Sequence, residues 1–322
     1  MRVLRNPGLW LALLLTAAMG IWPFITRSAT TREVIFTILL FVSLATSLNI
    51  FLGYTGYVSF GHIVWYGLGG YVGFYLMDVY QTPLYLCVLA GGLTSGIIAF
   101  LLGKAILRLR GAYFALATIG VNEAARAFIN NFDPFGGPIG MTLNFSVYKS
   151  YGGAARALWI TYSSLLGITL LVILVSFLVK SSKFGLGLTA IRENEDAAEV
   201  MGVVAPDAKT WAYVLSAIFP GMVAVLFFFK NGTILPHDAF RLHLSIEMIV
   251  MVMLGGQGTV LGPIIGAAGY QRLRGLLLVT PFFKNIQLAV AGAFLLVIIL
   301  FVPAGVVGWL RDRFPQLRRV LE

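Results

Sequence analysis

The sequence predicts an all-α, polytopic membrane protein that forms a single domain over residues 1–322. Of its 322 residues, 59% are hydrophobic and only 11% are charged, whereas a soluble domain has about 25% charged residues. The apolar runs are continuous rather than alternating, which favours helices over a membrane barrel. At about 20 residues per span, the chain has room for roughly eight to ten transmembrane helices, with a cytoplasmic helix between two of them.

The first two apolar runs are Leu9–Trp22 and Glu33–Leu52. Arg2 and Arg5 precede the first run, so the positive-inside rule places the N-terminus in the cytoplasm. The first run could be a cleaved signal peptide, but a retained helix is the better interpretation because later spans need an orienting start. The net charge of +10 follows the same rule, since the charges lie in loops and the tail, and it does not indicate a nucleic-acid partner.

The stretch Gly53–Phe74 contains an unusual density of glycine. Each glycine weakens a helix by about 1 kcal/mol relative to alanine, so this density needs a reason. Close helix packing explains Gly67, Gly69, Gly70 and Gly73. A broken helix that lines a polar path is a second and compatible reason. The candidate path residues here are Asn49, Gly61 and His62, although a packing role for the histidine is an equal alternative.

The next spans are Pro83–Leu107, which ends among basic residues and therefore inside, and Gly111–Asn130, which returns outward. The second of these carries Glu123 and Arg126, three positions apart, where they can pair on one helix face. Charges at membrane depth are candidates for a translocation path. A solvated Glu123–Arg126 pair near the outer end, with a purely structural role, is an equal alternative.

Phe132–Ala157 is predicted as an outer loop, and Leu158–Val179 crosses back, so Lys180–Asp207 is cytoplasmic. The segment 181–207 is too polar for lipid, because five charged residues fall within eight positions. At 100° per residue it predicts one amphipathic helix that ends at Gly202. Its apolar stripe would contain Ala190, Ile191, Ala197, Ala198 and Met201, and its opposite face Arg192, Glu195, Asp196 and Glu199. An acidic face suits a protein groove better than anionic lipid.

After a span at Trp211–Phe229 and an outer loop at Lys230–His243, glycine again interrupts an apolar run, Ser245–Arg274. Two interrupted segments in corresponding halves of a chain indicate a translocation path. The candidates here are Glu247, Gly255, Gly256 and Gln257, with Arg272 or Arg274 as the partner of the carboxylate. The segment 245–279 forms either two spans or a re-entrant pair. Asn285–Val302 is the last span, and an Arg-rich cytoplasmic tail covers 304–322.

Several chemistries have no motif in this chain. There is no P-loop, no metalloprotease motif and no nucleophile elbow. The outer-loop residues His237, Asp238 and His243 match no known metal-site spacing, so a polar loop is the better interpretation. The single Cys87 allows no internal disulfide. These observations favour a transport protein that needs no cofactor over an enzyme. An ion-coupled secondary transporter, with Glu123, Arg126 or Glu247 as relay groups, is the alternative to an ATP-driven one.

The chain resembles the M-type permease subunit of bacterial ABC importers for branched-chain amino acids. The stretches that carry the resemblance run in family order over nearly the whole chain and are Gly56–Tyr71, Arg108–Gly120, Gly136–Met141, Phe184–Val203 and Ser245–Ala267. The most specific is A-I-R-E-N-E-D-A-A-E-V-M-G, which ends at Gly202. The chain departs from the usual pattern at Phe135, Ile139 and Gln257, which leaves the cargo open.

The resemblance implies an inner-membrane permease with both termini in the cytoplasm. It implies a second, H-type permease subunit, two cytoplasmic ATPase subunits and a periplasmic substrate-binding protein as partners, with the lipid bilayer surrounding the permease. Ile191–Gly202 would be the coupling helix in an ATPase groove, and the transmitting residues would be Ala190, Ile191, Arg192, Glu193, Glu195, Asp196, Ala198, Glu199 and Gly202. The implied cargo is a branched-chain or related amino acid. Urea, an amide or another small polar solute is the alternative, because related permeases carry such cargo.

Overall fold

A computed structural model describes residues 7–279, 292 and 305–314 of the chain. Its helices are α1 (Pro7–Thr26), α2 (Ala29–Thr55), α3 (Ile63–Tyr80), α4 (Leu84–Ile106), α5 (Ala112–Asn130), α6 (Ser146–Ser150), α7 (Ala154–Lys180), α8 (Lys183–Glu193), α9 (Glu195–Val200), α10 (Ala205–Asn231), α11 (Pro236–Ala239), α12 (Leu242–Gly255), α13 (Leu261–Val279) and α14 (Gly305–Arg313). Two short 3-10 helices cover Asp133–Phe135 and Gly137–Ile139. The strands β1 (Met141–Thr142) and β2 (Thr233–Ile234) pair antiparallel.

Three sequence predictions concern residues outside this description. The predicted span Asn285–Val302 lies outside it apart from Gly292, and so do Arg2, Arg5 and the tail beyond residue 314. Within the described residues, five helices are long and apolar enough to cross a membrane: α1, α2, α4, α7 and α10. The all-helical membrane fold is therefore confirmed, whereas the number of eight to ten spans stays a prediction.

Helix α2 forms the centre of the bundle. Every residue from Ile38 to Thr55 is buried, and the helix contacts α1, α7, α10, α12 and α13. Its polar side chains pair with α7: the hydroxyl groups of Ser43 and Thr169 are 2.8 Å apart, and the Tyr54 hydroxyl lies 2.9 Å from Ser176 Oγ. A helix that is apolar on every side and buried on every side is typical of the core of a membrane bundle.

Helices α3, α4 and α10 approach one another closely at glycines. A methyl group on Gly69 would lie 2.6 Å from Ser95 Oγ and 2.7 Å from the Gly91 carbonyl oxygen, and it would also strike Gly221. Small residues allow this approach, which supplies the packing energy between membrane helices. The predicted packing role is confirmed for all four glycines, since added methyl groups would also collide with neighbours at Gly67, Gly70 and Gly73.

The chain leaves the helical conformation between α2 and α3. Helix α2 ends at Thr55, Gly56 adopts a left-handed conformation with φ of 76°, and α3 begins at Ile63. We call residues 56–62 the α2–α3 segment. A side chain of α5 satisfies one backbone amide of this segment: Phe60 N donates a hydrogen bond to Thr118 Oγ1 (3.2 Å). The broken-helix prediction for Gly53–Phe74 therefore holds together with the packing prediction.

Helices α12 and α13 form a tight hairpin around a second non-helical stretch, 256–260. Gly255 packs directly against Gly262, and a methyl group on Gly266 would lie 2.8 Å from Gly255 N. Helix α12 contains 14 residues, which extend about 21 Å and fall short of the roughly 30 Å hydrocarbon core. It is too short to cross a bilayer by itself, and it begins at Leu242, inside the predicted outer loop.

We predict that Gly69→Ala destabilises the bundle. Overpacking a tight core typically costs about 1–3 kcal/mol, because here the methyl group meets backbone atoms on two other helices. The thermal unfolding midpoint of the detergent-solubilised protein measures the effect. Gly167→Ala in α7 is the matched control, since its methyl group meets no atom within 4 Å. Equal stability of the two variants would contradict the packing role.

Candidate functional site

The segment 181–207, predicted to be one cytoplasmic helix, contains two helices, α8 and α9. Asn194 separates them with an extended conformation, φ −160° and ψ 109°. Its side-chain oxygen accepts a hydrogen bond from Ala197 N (3.0 Å) and so caps the start of α9. Asparagine is a preferred N-cap residue because it satisfies a free amide at the helix start. The prediction of a continuous helix is therefore wrong, whereas its end near Gly202, with φ of 91°, is confirmed.

The break redistributes the two predicted faces. Ile191 and Ala198 are buried, as predicted. Ala190, Ala197 and Met201 are exposed instead, because α9 starts in a new direction after Asn194. On the predicted polar face, the side chains of Arg192, Asp196 and Glu199 are exposed, and that of Glu193 is exposed too. Glu195 is the exception on this face, since it turns into the bundle.

Glu195 forms a buried ion pair with Lys209 of α10. Lys209 Nζ lies 2.6 Å from Glu195 Oε1, and the two side chains are 2% and 12% exposed. Tyr57 of the α2–α3 segment donates its hydroxyl proton to Glu195 Oε2 (2.5 Å) and lies 3.2 Å from Lys209 Nζ. The ammonium group also sits 4.7 Å from the centre of the Tyr57 ring, a cation–π distance. Removing two charges from water is costly, so a buried ion pair is tolerated only when further hydrogen bonds satisfy its remaining polar atoms.

The environment of Glu195 sets its protonation. Burial by itself would raise the pKa of this carboxyl group. Hydrogen bonds from Lys209 and Tyr57, together with the positive charges of Lys209 and Arg110, outweigh burial and lower the pKa below its ordinary value. Arg110 completes the network at the surface, with its Nη1 2.8 Å from Asp196 Oδ1. Glu195 is therefore ionised in the folded protein at neutral pH.

Arg192 connects α8 to the end of α2. Its Nη1 donates to the Gly53 carbonyl oxygen (2.8 Å). Five basic residues lie near this end of the bundle, which we call the basic end and which contains the C-termini of α2, α4 and α7. The residues that define it by charge are Lys104, Arg108, Arg110, Lys180 and Lys183.

Three of the predicted path residues meet at the basic end. Asn49 bridges to the loop between α12 and α13: its Nδ2 donates to the Thr259 carbonyl oxygen, and its Oδ1 accepts from Gly258 N, both at 3.0 Å. Gln257 Nε2 donates to the Leu52 carbonyl oxygen (3.1 Å). Gly256 turns the loop with φ of 124°, a conformation that favours glycine. These side chains hold the second interrupted segment against the end of α2.

Two cavities meet at Arg192. One of about 470 Å³ lies beneath the α2–α3 segment and is lined by Thr55, Gly56, Tyr57, Val58, Phe60, Gly111, Ala112, Ala115, Ile191 and Arg192. The other, of about 460 Å³, lies on the side of Gln257 and Thr259 and is also lined by Glu193 and Arg192. The guanidinium group therefore stands between the two non-helical segments of the bundle.

The remaining path candidates lie elsewhere. Gly61 packs against the backbone of Thr118 in α5, and His62 is fully buried at the start of α3. Glu247 pairs with Arg274 across the α12–α13 hairpin (3.0 Å), so one of its two predicted partners is confirmed. Asp238 of α11 pairs with Arg241, which precedes α12.

Glu123 and Arg126 pair on α5 as predicted. Their side chains lie 3.5 Å apart and are 53% and 40% exposed. Helix α5 buries only one face, through Phe114, Thr118, Asn122 and Ile129. The ion pair belongs to the opposite, uncovered side of the helix.

The sequence did not indicate Tyr57 or Lys209 as functional residues. Tyr57 falls in a stretch whose distinctive feature is its glycine content, and Lys209 looks like an ordinary basic residue at the start of a span. Glu195 and Lys209 are 14 positions apart, and Tyr57 is 138 positions from Glu195. No local pattern links them.

The chain is similar to known permeases. A family model described as the permease component of branched-chain amino acid transport systems matches residues 30–302. Two relatives are the high-affinity branched-chain amino acid transport system permease protein LivM of Salmonella typhimurium strain LT2 and that of Escherichia coli strain K12. Each is 28% identical to this chain, over 96% of this chain and 76% of the relative. No solved structure matches the chain.

We predict that Glu195→Gln weakens the folded state at neutral pH and not at acid pH. Because the folded-state pKa of Glu195 is lowered, its ion pair stabilises the protein above the unfolded pKa, about 4.3. This stabilisation is lost as the pH falls through the folded-state value. Thermal unfolding midpoints of the wild type and the variant in detergent, compared from about pH 7 downward, measure the difference.

The exposed Glu199→Gln in the same helix provides the control, with little difference from the wild type expected at either pH. A Glu195→Gln variant as stable as the wild type at neutral pH would contradict the buried ion pair.

Proposed function

Because the chain belongs to the family of permease components of branched-chain amino acid transport systems, we propose that it is the membrane subunit of an ATP-driven importer. The family match supports a branched-chain or related amino acid as cargo, with urea, amides or another small polar solute as the alternative. The other components would be a second permease subunit of the H type, two cytoplasmic ATPase subunits and a periplasmic binding protein.

The observation that carries the proposal is an uncovered apolar patch on the α8–α9 helices. We call Leu186, Val200, Met201 and Val204 the docking patch. All four are exposed, and Val200 and Met201 are 88% and 84% exposed. Such a patch outside the spanning helices indicates an interaction surface. Its rim is acidic, with Glu193, Asp196 and Glu199 exposed, which disfavours the anionic lipid surface.

The occupant that fits this surface is an ATPase subunit with an apolar groove and a basic rim. Of the predicted transmitting residues, Ala190, Glu193, Asp196, Glu199 and Gly202 lie on the outside of the helix pair. Ile191 and Ala198 fasten the pair to the bundle. The positive-inside rule supports a cytoplasmic basic end, and hence cytoplasmic termini in the bacterial inner membrane.

The translocation path would follow the uncovered face of α5. Glu123 lies 11 positions after Ala112, the first residue of the helix, and thus about 16 Å along it. A half-exposed ion pair at that depth cannot face lipid cheaply, because each charge costs about 2.5–3.5 kcal/mol in the bilayer centre. A water-filled path shared with the second permease satisfies both charges. The pairing of Glu123 and Glu247 with arginines weighs against a proton relay and the secondary-transporter alternative.

We predict that Met201→Asp, in the docking patch, releases the ATPase. Burying an unpaired carboxylate in an apolar groove costs several kcal/mol, so ATPase subunits should no longer co-purify with the tagged chain from mild detergent. Ile139→Asp is the matched control, since Ile139 is equally exposed (84%) but lies in the loop after α5. Retention of full ATPase binding by Met201→Asp would contradict the docking patch. A wild-type chain that purifies alone and takes up substrate with an ion gradient would favour the secondary transporter.

A second prediction concerns the path. We expect Glu123→Gln with Arg126→Gln to lower uptake by about tenfold, equivalent to about 1.4 kcal/mol, because the path loses its fixed charges while the subunits still assemble. Uptake by reconstituted vesicles measures the effect. Asp133→Asn, in the loop that follows α5, is the control. If the α5 face meets lipid, the double variant will be more stable and will transport normally.

A further inference from the structure

We call α8 and α9 the docking helices. A cluster of three side chains joins α9 to the α2–α3 segment. It consists of Lys209, Glu195 and Tyr57, which contact one another at 2.6, 2.5 and 3.2 Å. One member comes from α10, one from α9 and one from the segment. Because the lysine is 2% exposed, water cannot replace either partner without opening the bundle. A movement of α9 must therefore carry Tyr57 and Lys209 with it or break their contacts with Glu195.

The contacts of Tyr57 continue into the bundle. Its ring packs edge-to-face on Phe114 of α5, with ring centroids 5.4 Å apart, and also lies near Phe51 of α2 at 6.3 Å. Farther along the same segment, Phe60 N is bound to Thr118 of α5. Ile63 N, at the start of α3, is bound to Ser245 Oγ of α12 (3.0 Å). The segment thus contacts α5 through Tyr57 and Phe60, and the first residue of α3 is bound to α12.

A cavity beside the α2–α3 segment gives it room to move. The cavity of about 470 Å³ lies between residues of the segment, the start of α5 and Ile191 of α8. Protein interiors are otherwise close-packed and pass displacements on to their neighbours. A segment fixed at Tyr57 and Phe60 and open toward a cavity can shift as a unit when α9 is displaced.

We propose that Lys209, Glu195 and Tyr57 link the ATPase-docking helices mechanically to the α2–α3 segment, and through it to α5 and its path face. This inference rests on the proposed function. It assigns positioning roles to Tyr57 and Lys209, which act through Glu195. Arg192, bound to Gly53, holds the other docking helix to α2, so α8 and α9 connect to different parts of the bundle.

The first test compares two hydrogen-bonded tyrosine hydroxyls at the basic end, that of the partly buried Tyr57 and that of the buried Tyr54. Tyr57→Phe keeps the ring and removes the hydroxyl that binds Glu195. Tyr54→Phe removes a hydroxyl bound to Ser176 of α7 and is the matched control. The assembled complex, with partner subunits and binding protein, is reconstituted in vesicles, and ATP hydrolysed per substrate transported is measured. We expect Tyr57→Phe to raise this ratio by roughly tenfold or more, the scale of one lost hydrogen bond to a charged group, and Tyr54→Phe to leave it unchanged.

The second test follows the segment directly. Cys87 is the single cysteine and is buried, so Val58→Cys places a reporter thiol on the cavity wall. We expect the rate of its modification by a polar thiol reagent to change when ATP binds to the complex. Adding Tyr57→Phe or Glu195→Gln should abolish most of that change while ATPase subunits still co-purify.

Two results would overturn the link. One is an unchanged ATP-to-substrate ratio in Tyr57→Phe, and the other is an ATP-dependent change at Val58→Cys that survives both substitutions. Failure of the ATPase to co-purify with the wild-type chain would instead remove the proposed function, and the two failures are therefore distinguishable.

Discussion

Polar groups buried in an apolar helical bundle must find their partners within the protein. This constraint is severe in a membrane, because no water is available to satisfy a free amide or carbonyl group. The chain leaves the helical conformation within its bundle at residues 56–62 and 256–260. Thr118 binds the first stretch, and Ser245 binds the residue that follows it. Asn49 binds the second stretch through both ends of its amide. The irregular backbone exists because neighbouring helices supply these side chains.

The same constraint explains how charged side chains are arranged. Lys209 and Glu195 compensate each other where both are buried, and Glu247 and Arg274 do so between two packed helices. Glu123 and Arg126 are paired and yet remain half-exposed, which distinguishes them from the other two pairs. A fully enclosed pair fixes one helix against another, whereas a pair on an uncovered face requires a polar surrounding that the described part of the chain does not provide.

The docking helices combine rigidity and exposure. Asn194 divides them, so Ile191 and Ala198 can both pack inward while α9 presents Val200 and Met201 outward. An unbroken helix would have placed Ala198 and Met201 on a common face. The acidic residues divide in the same way, because Glu195 pairs with Lys209 of the bundle whereas Glu199 is exposed on the outer surface. One short segment thus carries both an attachment to the bundle and a surface for a partner.

The sequence alone determined the helical membrane fold, the interruption after Thr55, the packing role of the glycines and the pairing of Glu123 with Arg126. These features depend on hydrophobicity, backbone freedom and spacing within one helix, all of which are local. The family also follows from local motifs. Only the tertiary structure decided that Asn194 ends a helix, that Glu195 points inward and that Tyr57 and Lys209 bind its carboxylate. Those contacts join residues up to 138 positions apart, and their energy exists only when the bundle brings the groups together.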